Sequence, residues 1–196
     1  MKLQEALPDS VTVGGKRYRV DLDFRNVLKM LETLSRDDLI EDAREWLAVK
    51  CVMKKPPKRG YSAVLIALRL MLFSGNQKEQ KKLTDFEQDA DLIRAAFRQT
   101  YGIDLYRDKL HWFEFTGLLS CLPEGNRYME TLGIRARPMP APTKYNAAER
   151  TWLSNAKAAV ALKMTDKERE HIYQSSLHRT AESLLALAKR GEQKSG

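Results

Sequence analysis

Two apolar stripes at helical spacing lie at the centre of this 196-residue chain, one on each side of Gly102. The first stripe consists of Phe86, Ala90, Ile93, Phe97 and Tyr101. Thr84, followed three residues later by Glu87, predicts a capping box where this helix begins. Gly102 predicts its end, because glycine readily adopts the left-handed conformation of a C-terminal cap. A helix with one continuous apolar face must bury that face against other elements, so this stretch predicts helical packing.

The second apolar stripe consists of Trp112, Phe115, Leu119 and Leu122. Asp108 predicts the N-cap of this helix, and Pro123 predicts its end. Phe113 lies off the stripe, so the helix is apolar on more than one side and is either sandwiched between neighbours or exposes a face to a partner. Trp112, Phe113 and Phe115 are interpreted first as core residues and also as candidate partner-binding residues, since aromatic side chains dominate binding hot spots.

The two predicted helices carry short segments that resemble a protein family of tailed phages. The matching segments are Asp85–Asp91 (DFEQDAD), Tyr101–Leu105 (YGIDL), Leu110–Phe113 (LHWF), Leu122–Glu124 (LPE) and Leu132–Arg135 (LGIR). The upstream segments that precede them in the family's order are Leu7–Asp9, Val13–Lys16 and Asp23–Arg25. Over about residues 3–137, the chain resembles the "gene product fifteen" family of tailed phages and prophages of Gram-positive hosts.

Genes of this family usually lie between those of the major tail protein and the tape measure protein. The resemblance therefore implies a tail assembly chaperone that binds the tape measure protein and keeps it soluble during tail tube assembly. The tail tube protein is a second expected partner. Such a protein would act in the host cytoplasm and be absent from the mature virion. The alternatives are a structural component of the tail or head–tail junction and, with less support, a basic nucleic-acid-binding module.

The rest of the sequence predicts a mainly α-helical fold, namely a compact helical domain with a short N-terminal β-hairpin and a helical C-terminal extension. Residues Val11–Val20 alternate around Gly14 and Gly15, which can take the positive φ angles of a tight hairpin turn. Two strands alone are only marginally stable in water. The hairpin is therefore expected to lie against helices or to pair with another chain.

Three helices are predicted between the hairpin and the central stretch. Asp23 is expected to cap the first, and Ser35 the second, with Ile40 facing inward. The paired prolines of Lys54–Gly60 predict a loop. Tyr61–Ser74 is nearly all apolar and predicts a buried central helix.

Beyond the central stretch, Tyr128, Met129 and Leu132 predict a short helix that ends at Gly133. The C-terminal part then begins with closely spaced prolines, which predict an extended linker at 138–144. We therefore expect a helical core domain, including the hairpin, at 1–137 and a helical extension at 145–196. One helix of the extension carries Trp152, a candidate partner-binding residue, and another begins with a capping box at Thr165. Both helices are amphipathic and could fold back on the core or pair with another subunit or a partner; we expect intermolecular packing, and with it self-association.

The chain is basic, with a formal net charge of +8. One dense candidate basic patch contains Lys50, Lys54, Lys55, Lys58 and Arg59. An acidic protein would be attracted to it as readily as a nucleic acid. Because aromatic residues for base stacking are not interleaved with these charges, nucleic-acid binding is not favoured. No run of eighteen apolar residues is present, so no membrane interaction is expected, and the N-terminus lacks the apolar region of a signal peptide.

An acidic cluster precedes and enters the first central helix and consists of Asp85, Glu87, Asp89 and Asp91. We interpret it as negative charge that stabilises a helix N-terminus, with Asp91 paired to Arg94. A surface that binds a basic partner segment and a metal site are the alternative interpretations.

Catalytic, cofactor and metal motifs are not found in the sequence, so a protein without enzymatic activity and without cofactors is expected. His111, His171 and His178 lack further Cys or His ligands close in sequence. Cys51 and Cys121 lie in apolar helical contexts and are expected to be reduced core residues.

Overall fold

The computed structural model describes residues 5–57, 59–73 and 82–163, and these form one hairpin and seven α-helices. The elements are β1 (Ser10–Val13), β2 (Lys16–Arg19), α1 (Phe24–Ser35), α2 (Glu41–Val52), α3 (Tyr61–Phe73), α4 (Ala90–Tyr101), α5 (Trp112–Ser120), α6 (Arg127–Ala136) and α7 (Ala147–Ala159). This confirms the expected mainly α-helical fold with an N-terminal hairpin and helices toward the C-terminus. Within the described part of the chain, no helix has the length and hydrophobicity that a membrane span requires.

The hairpin packs on the helices through its apolar face. β1 and β2 are antiparallel, and Gly14 and Gly15 form the turn with φ angles of 57° and 75°. Val11 and Val20 are buried, and β1 contacts α3. The Asp21 N–H donates to the carbonyl at the end of α2, with an N–O distance of 2.8 Å. The predicted strands and their buried face are therefore confirmed.

The first turns of α1 and α5 are joined by an isolated antiparallel bridge between Asp23 and His111. Asp23 caps α1 as predicted, since its carboxylate accepts a hydrogen bond from the Arg25 N–H. His111 caps α5, because its Nδ1 accepts from the Phe113 N–H while the Glu114 carboxylate accepts from the His111 N–H. The bridge thus fixes the position of both helix starts.

Three predicted helix starts are wrong because the side chains expected to cap them form hydrogen bonds elsewhere. Asp108 does not cap α5, since its carboxylate accepts from the Asp104 N–H in the preceding turn. Thr84 does not cap α4; instead, the Asp85 carboxylate accepts from the N–H groups of residues 87 and 88 and closes a separate turn. Ser35 is the last residue of α1, and its hydroxyl donates to the Glu32 carbonyl.

Two further helix boundaries also differ from the prediction. α2 begins at Glu41, which leaves Ile40 as its N-cap with 76% of its surface exposed rather than facing inward. α6 continues through Gly133 to Ala136, although a helix end was expected at the glycine. Gly102 ends α4 as predicted, with a φ angle of 71° in the left-handed region.

An aromatic cluster fills the centre of the helical body. The Phe115 ring stacks on Phe24 and Phe97, with centroid distances of 4.6 and 5.4 Å. The Trp112 ring lies edge-on to Phe73 and Phe86. The two predicted apolar stripes therefore meet in one core, and Trp112 and Phe115 are core residues.

Helix α3 is buried on one face only. Its inward residues are Val64, Leu65, Leu68 and Leu72, and they pack against α2 and β1. On the opposite face, Ile66 and Leu70 are 59% and 63% exposed. The predicted helix is therefore confirmed, but it is buried on one side only, because no described element covers its outward side.

A buried ion pair joins α6 to the start of α4. Both guanidinium terminal nitrogens of Arg135 donate to the Asp89 carboxylate, at 2.7 and 2.8 Å. The same guanidinium donates to the carbonyls of Leu83 and Val160. Both charged side chains are almost inaccessible to water. The pair therefore ties three parts of the chain together at one point.

Helix α7 packs on α6 of the same chain. Leu153 is fully buried, and the Lys157 ammonium donates to the carbonyls of Ile134 and Arg135 at the end of α6. The preference for intermolecular packing of this helix is therefore wrong. The division at residues 138–144 stays a prediction, and the helix expected from Thr165 lies outside the described residues.

Replacing Asp89 with alanine should lower the free energy of unfolding by about 3–5 kcal/mol, because Arg135 is left as an unpaired buried charge. Urea denaturation followed by circular dichroism measures this loss. The matched control is Asp91→Ala, which removes a carboxylate that pairs with Arg94 at the surface and should leave stability unchanged within error. Equal losses for the two variants would contradict a structural role for the buried pair.

Leu68→Ala and Leu70→Ala make the same chemical change on opposite faces of α3. Truncating the fully buried Leu68 should cost about 2–5 kcal/mol, since it leaves a cavity in the core. Truncating Leu70 should cost under about 0.5 kcal/mol, because most of its side chain already contacts solvent. Urea denaturation of both variants compares the two faces, and a large loss for Leu70→Ala would show that the outward face is covered.

Candidate partner-binding surface

A groove of about 840 Å³ runs between α1, α2 and α3, and we call it the α3 groove. Its lining residues are Leu31, Leu34, Ser35, Glu41, Arg44, Glu45, Leu65, Ile66, Arg69, Leu70 and Phe73. The groove exists because α2 and β1 pack on one side of α3 and leave the other side open. Exposed aliphatic side chains of α3 supply one wall of this groove.

The apolar wall of the α3 groove comes from helical spacing. Ile66 and Leu70 are four residues apart and therefore lie one above the other on the same face. Leu31 and Leu34 on α1 are half-buried and supply the opposite apolar surface. Side chains at this spacing are the kind that receive the apolar stripe of another helix.

Charged residues border the apolar wall. Glu41 and Glu45 belong to α2, and Arg69 belongs to α3. The Glu45 carboxylate accepts a hydrogen bond of 2.5 Å from the Ser62 hydroxyl, which positions it without removing its charge. The Arg44 guanidinium donates to a backbone carbonyl and lies 4.0 Å from an Asp37 oxygen. The groove thus combines an apolar wall with charges of both signs.

The predicted aromatic partner-binding residues divide between the core and the surface. Trp112 and Phe115 are buried, and Phe113 is half-buried, with its ring stacked on His111 at 5.5 Å. Trp152 on α7 is 55% exposed, on the side of the helix that does not pack on α6. Trp152 is therefore the one predicted aromatic with most of its surface free to contact a partner.

The acidic cluster does not converge on one point. Asp89 is buried against Arg135, Asp85 closes a turn, and Asp91 pairs with Arg94 at 3.0 Å as predicted. Glu87 is exposed. Within residues 5–57, 59–73 and 82–163, no group of three or more His, Cys, Asp or Glu side chains could hold a metal ion.

The groups around Asp85 lower the pKa of its carboxyl group. Burial alone would raise its pKa, but hydrogen bonds from the Gln88 N–H and the Lys82 ammonium hold that pKa below its ordinary value. The carboxylate therefore stays ionised and keeps the turn before α4 closed. Asp85 and Asp89 both serve the fold, which leaves Glu87 and Asp91 as the surface charges of the cluster.

The predicted basic patch lies at the end of α2 and in the loop that follows. Lys50, Lys54, Lys55 and Arg59 are exposed, whereas Lys58 lies outside the described residues. The Lys50 ammonium lies 4.9 Å from the centroid of the Trp46 ring. These side chains remain available to an acidic partner.

The two cysteines and His111 belong to helices or helix ends of the fold. Cys51 is half-buried, and its thiol donates to the Leu47 carbonyl. Cys121 is exposed, so its expected place in the core is wrong; it is the C-cap of α5, where the chain reaches the surface. Both thiols are free, and His111 serves as a helix cap. His171 and His178 lie outside the described residues.

Comparison with known proteins identifies the family. A family model described as Bacteriophage Gp15 protein matches residues 3–162. The match extends beyond residue 137, where the resemblance was expected to end, and includes α7. No curated protein and no solved structure gives a significant match. The chain therefore belongs to the bacteriophage Gp15 protein family and is a phage structural or morphogenesis protein.

Proposed function

We propose that this protein is a non-enzymatic tail assembly chaperone that binds the tape measure protein and keeps it soluble while the tail tube assembles. The observation that supports the proposal is the exposed apolar face of α3, where Ile66 and Leu70 line the α3 groove. Helices α1, α2, α4 and α5 bury apolar residues in a shared core, so the open face of α3 is available as a surface for another polypeptide. Membership of a phage family makes a virion assembly partner the natural occupant.

The α3 groove suits contacts that must later be released. Burying the remaining exposed surface of Ile66 and Leu70 would contribute about 1–2 kcal/mol each, from the usual gain for burying an aliphatic side chain. Part of that gain is offset by the loss of freedom when a helix docks. A single groove therefore binds weakly. Many copies of the protein can still coat a long partner chain and be displaced from it when tube subunits polymerise.

On this proposal the protein acts in the host cytoplasm and is not retained in the mature particle. Mass spectrometry of purified virions tests this part directly. Peptides of the chain in amounts comparable to tail proteins would favour a structural component of the tail or head–tail junction instead.

Co-expression with the tape measure protein encoded by the same phage tests the chaperone role. The wild-type chain should increase the soluble fraction of that partner, and Ile66→Glu/Leu70→Glu should abolish the increase by placing carboxylates on the apolar wall. Tyr145→Ser removes an exposed aromatic side chain outside the groove and is the matched surface control. Circular dichroism of both variants should be that of the wild type, since all three positions are exposed.

Two results would contradict the proposal. A wild-type chain that leaves the tape measure protein insoluble would argue against the chaperone role. A folded Ile66→Glu/Leu70→Glu variant that solubilises it as well as the wild type would show that another surface binds the partner.

A further inference from the structure

We propose that the α3 groove also binds a second copy of this chain, and that the resulting dimer covers the apolar face when no other partner is present. The inference extends the proposed function, because the same groove would serve both partners. It concerns only this chain, so it is tested without the tape measure protein. The occupant is inferred from the charges that border the apolar wall.

The α2 side of the groove keeps a negative charge. Glu41 is exposed, and it makes no ion pair with any residue of the described segments 5–57, 59–73 and 82–163. Glu45 points to Ser62, a neutral donor, so its charge is not cancelled. Arg44 lies between these two glutamates in sequence, and its guanidinium is directed toward a backbone carbonyl and Asp37.

The α3 side carries the opposite charge. Arg69 is exposed, and it forms no ion pair among the residues that the structure describes. It lies one residue before Leu70 and three after Ile66, so it projects beside the exposed apolar face. In the part of the chain that the structure describes, each copy therefore presents a cation on α3 and carboxylates on α2 that form no ion pair, on the two sides of one groove.

A two-fold axis brings these features together. In an isologous interface, residue i of one copy contacts residue j of the other, and j contacts i. When the α3 helices of two copies pack against each other across the groove, Arg69 of each faces the acidic wall of the other, and Ile66 and Leu70 are covered on both. The chain is thus complementary to itself in charge as well as in apolar surface.

The expected dimer is weak. Helix α3 has 13 residues and is about 20 Å long, so its outward face offers less than the roughly 800 Å² that each partner contributes to a standard stable interface. A concentration-dependent dimer follows, in which a helix of another protein that binds the same face would displace the second copy.

Charge reversal on either side of the groove gives a sharp test by analytical ultracentrifugation. Wild-type protein should show a reversible monomer–dimer equilibrium. Arg69→Glu and Glu41→Lys, each alone, should weaken self-association by about tenfold, because both cross-subunit contacts then join like charges. An equimolar mixture of the two variants should recover wild-type affinity, since both contacts of the mixed dimer join opposite charges. Ile66→Glu/Leu70→Glu should be monomeric.

Arg127→Glu is the matched control, because it makes the same charge change at an exposed position on α6, outside the groove, and should leave the equilibrium unchanged. Wild-type protein that is monomeric at several hundred micromolar would overturn the inference. So would a mixture of Arg69→Glu and Glu41→Lys that associates no better than either variant alone, or an equal effect of Arg127→Glu. A monomeric chain that still solubilises the tape measure protein would leave the proposed function standing.

Discussion

The Arg135 guanidinium holds together three parts of the chain at one buried point. It donates to both oxygens of Asp89, to the Leu83 carbonyl before α4 and to the Val160 carbonyl at the end of α7. A buried charge is tolerated only when it is paired and hydrogen-bonded, so each of these segments must be in place for the others to be stable. The ion pair therefore fixes α7 on the helical body and assigns Asp89 to the fold rather than to a binding surface.

The parts of the fold that the sequence predicts are those governed by local chemistry. The glycine turn of the hairpin, the Asp23 cap and the end of α4 at Gly102 each depend on residues within one turn. Where several capping residues lie close together, tertiary contacts decide between them. His111 caps α5 because its backbone is paired with Asp23, and no local pattern indicates that pairing. The Asp89–Arg135 pair spans 46 residues of sequence and leaves no local signal either.

The position of the candidate binding surface also depends on tertiary packing that the local sequence does not indicate. Apart from Arg69, the run from Ala63 to Phe73 is apolar, which indicates only that several sides of the helix need cover. Which side stays open depends on where α2 and β1 pack, so Ile66 and Leu70 could not be distinguished from Leu68 in advance. For Trp112 and Phe115, the preferred interpretation as core residues is confirmed, because Phe24, Phe86 and Phe97 enclose them.

A phage structural or morphogenesis protein whose described helices pack in a core and leave an apolar face of α3 open is well suited to transient binding of another polypeptide. Site-specific photocrosslinking during phage production tests this central claim most directly, with a photoreactive amino acid in place of Ile66 and, in a parallel strain, in place of Tyr145. We predict that position 66 crosslinks to the tape measure protein, identified by mass spectrometry, and that position 145 does not. Crosslinks to the tape measure protein from position 145 alone, or from neither position, would contradict the account.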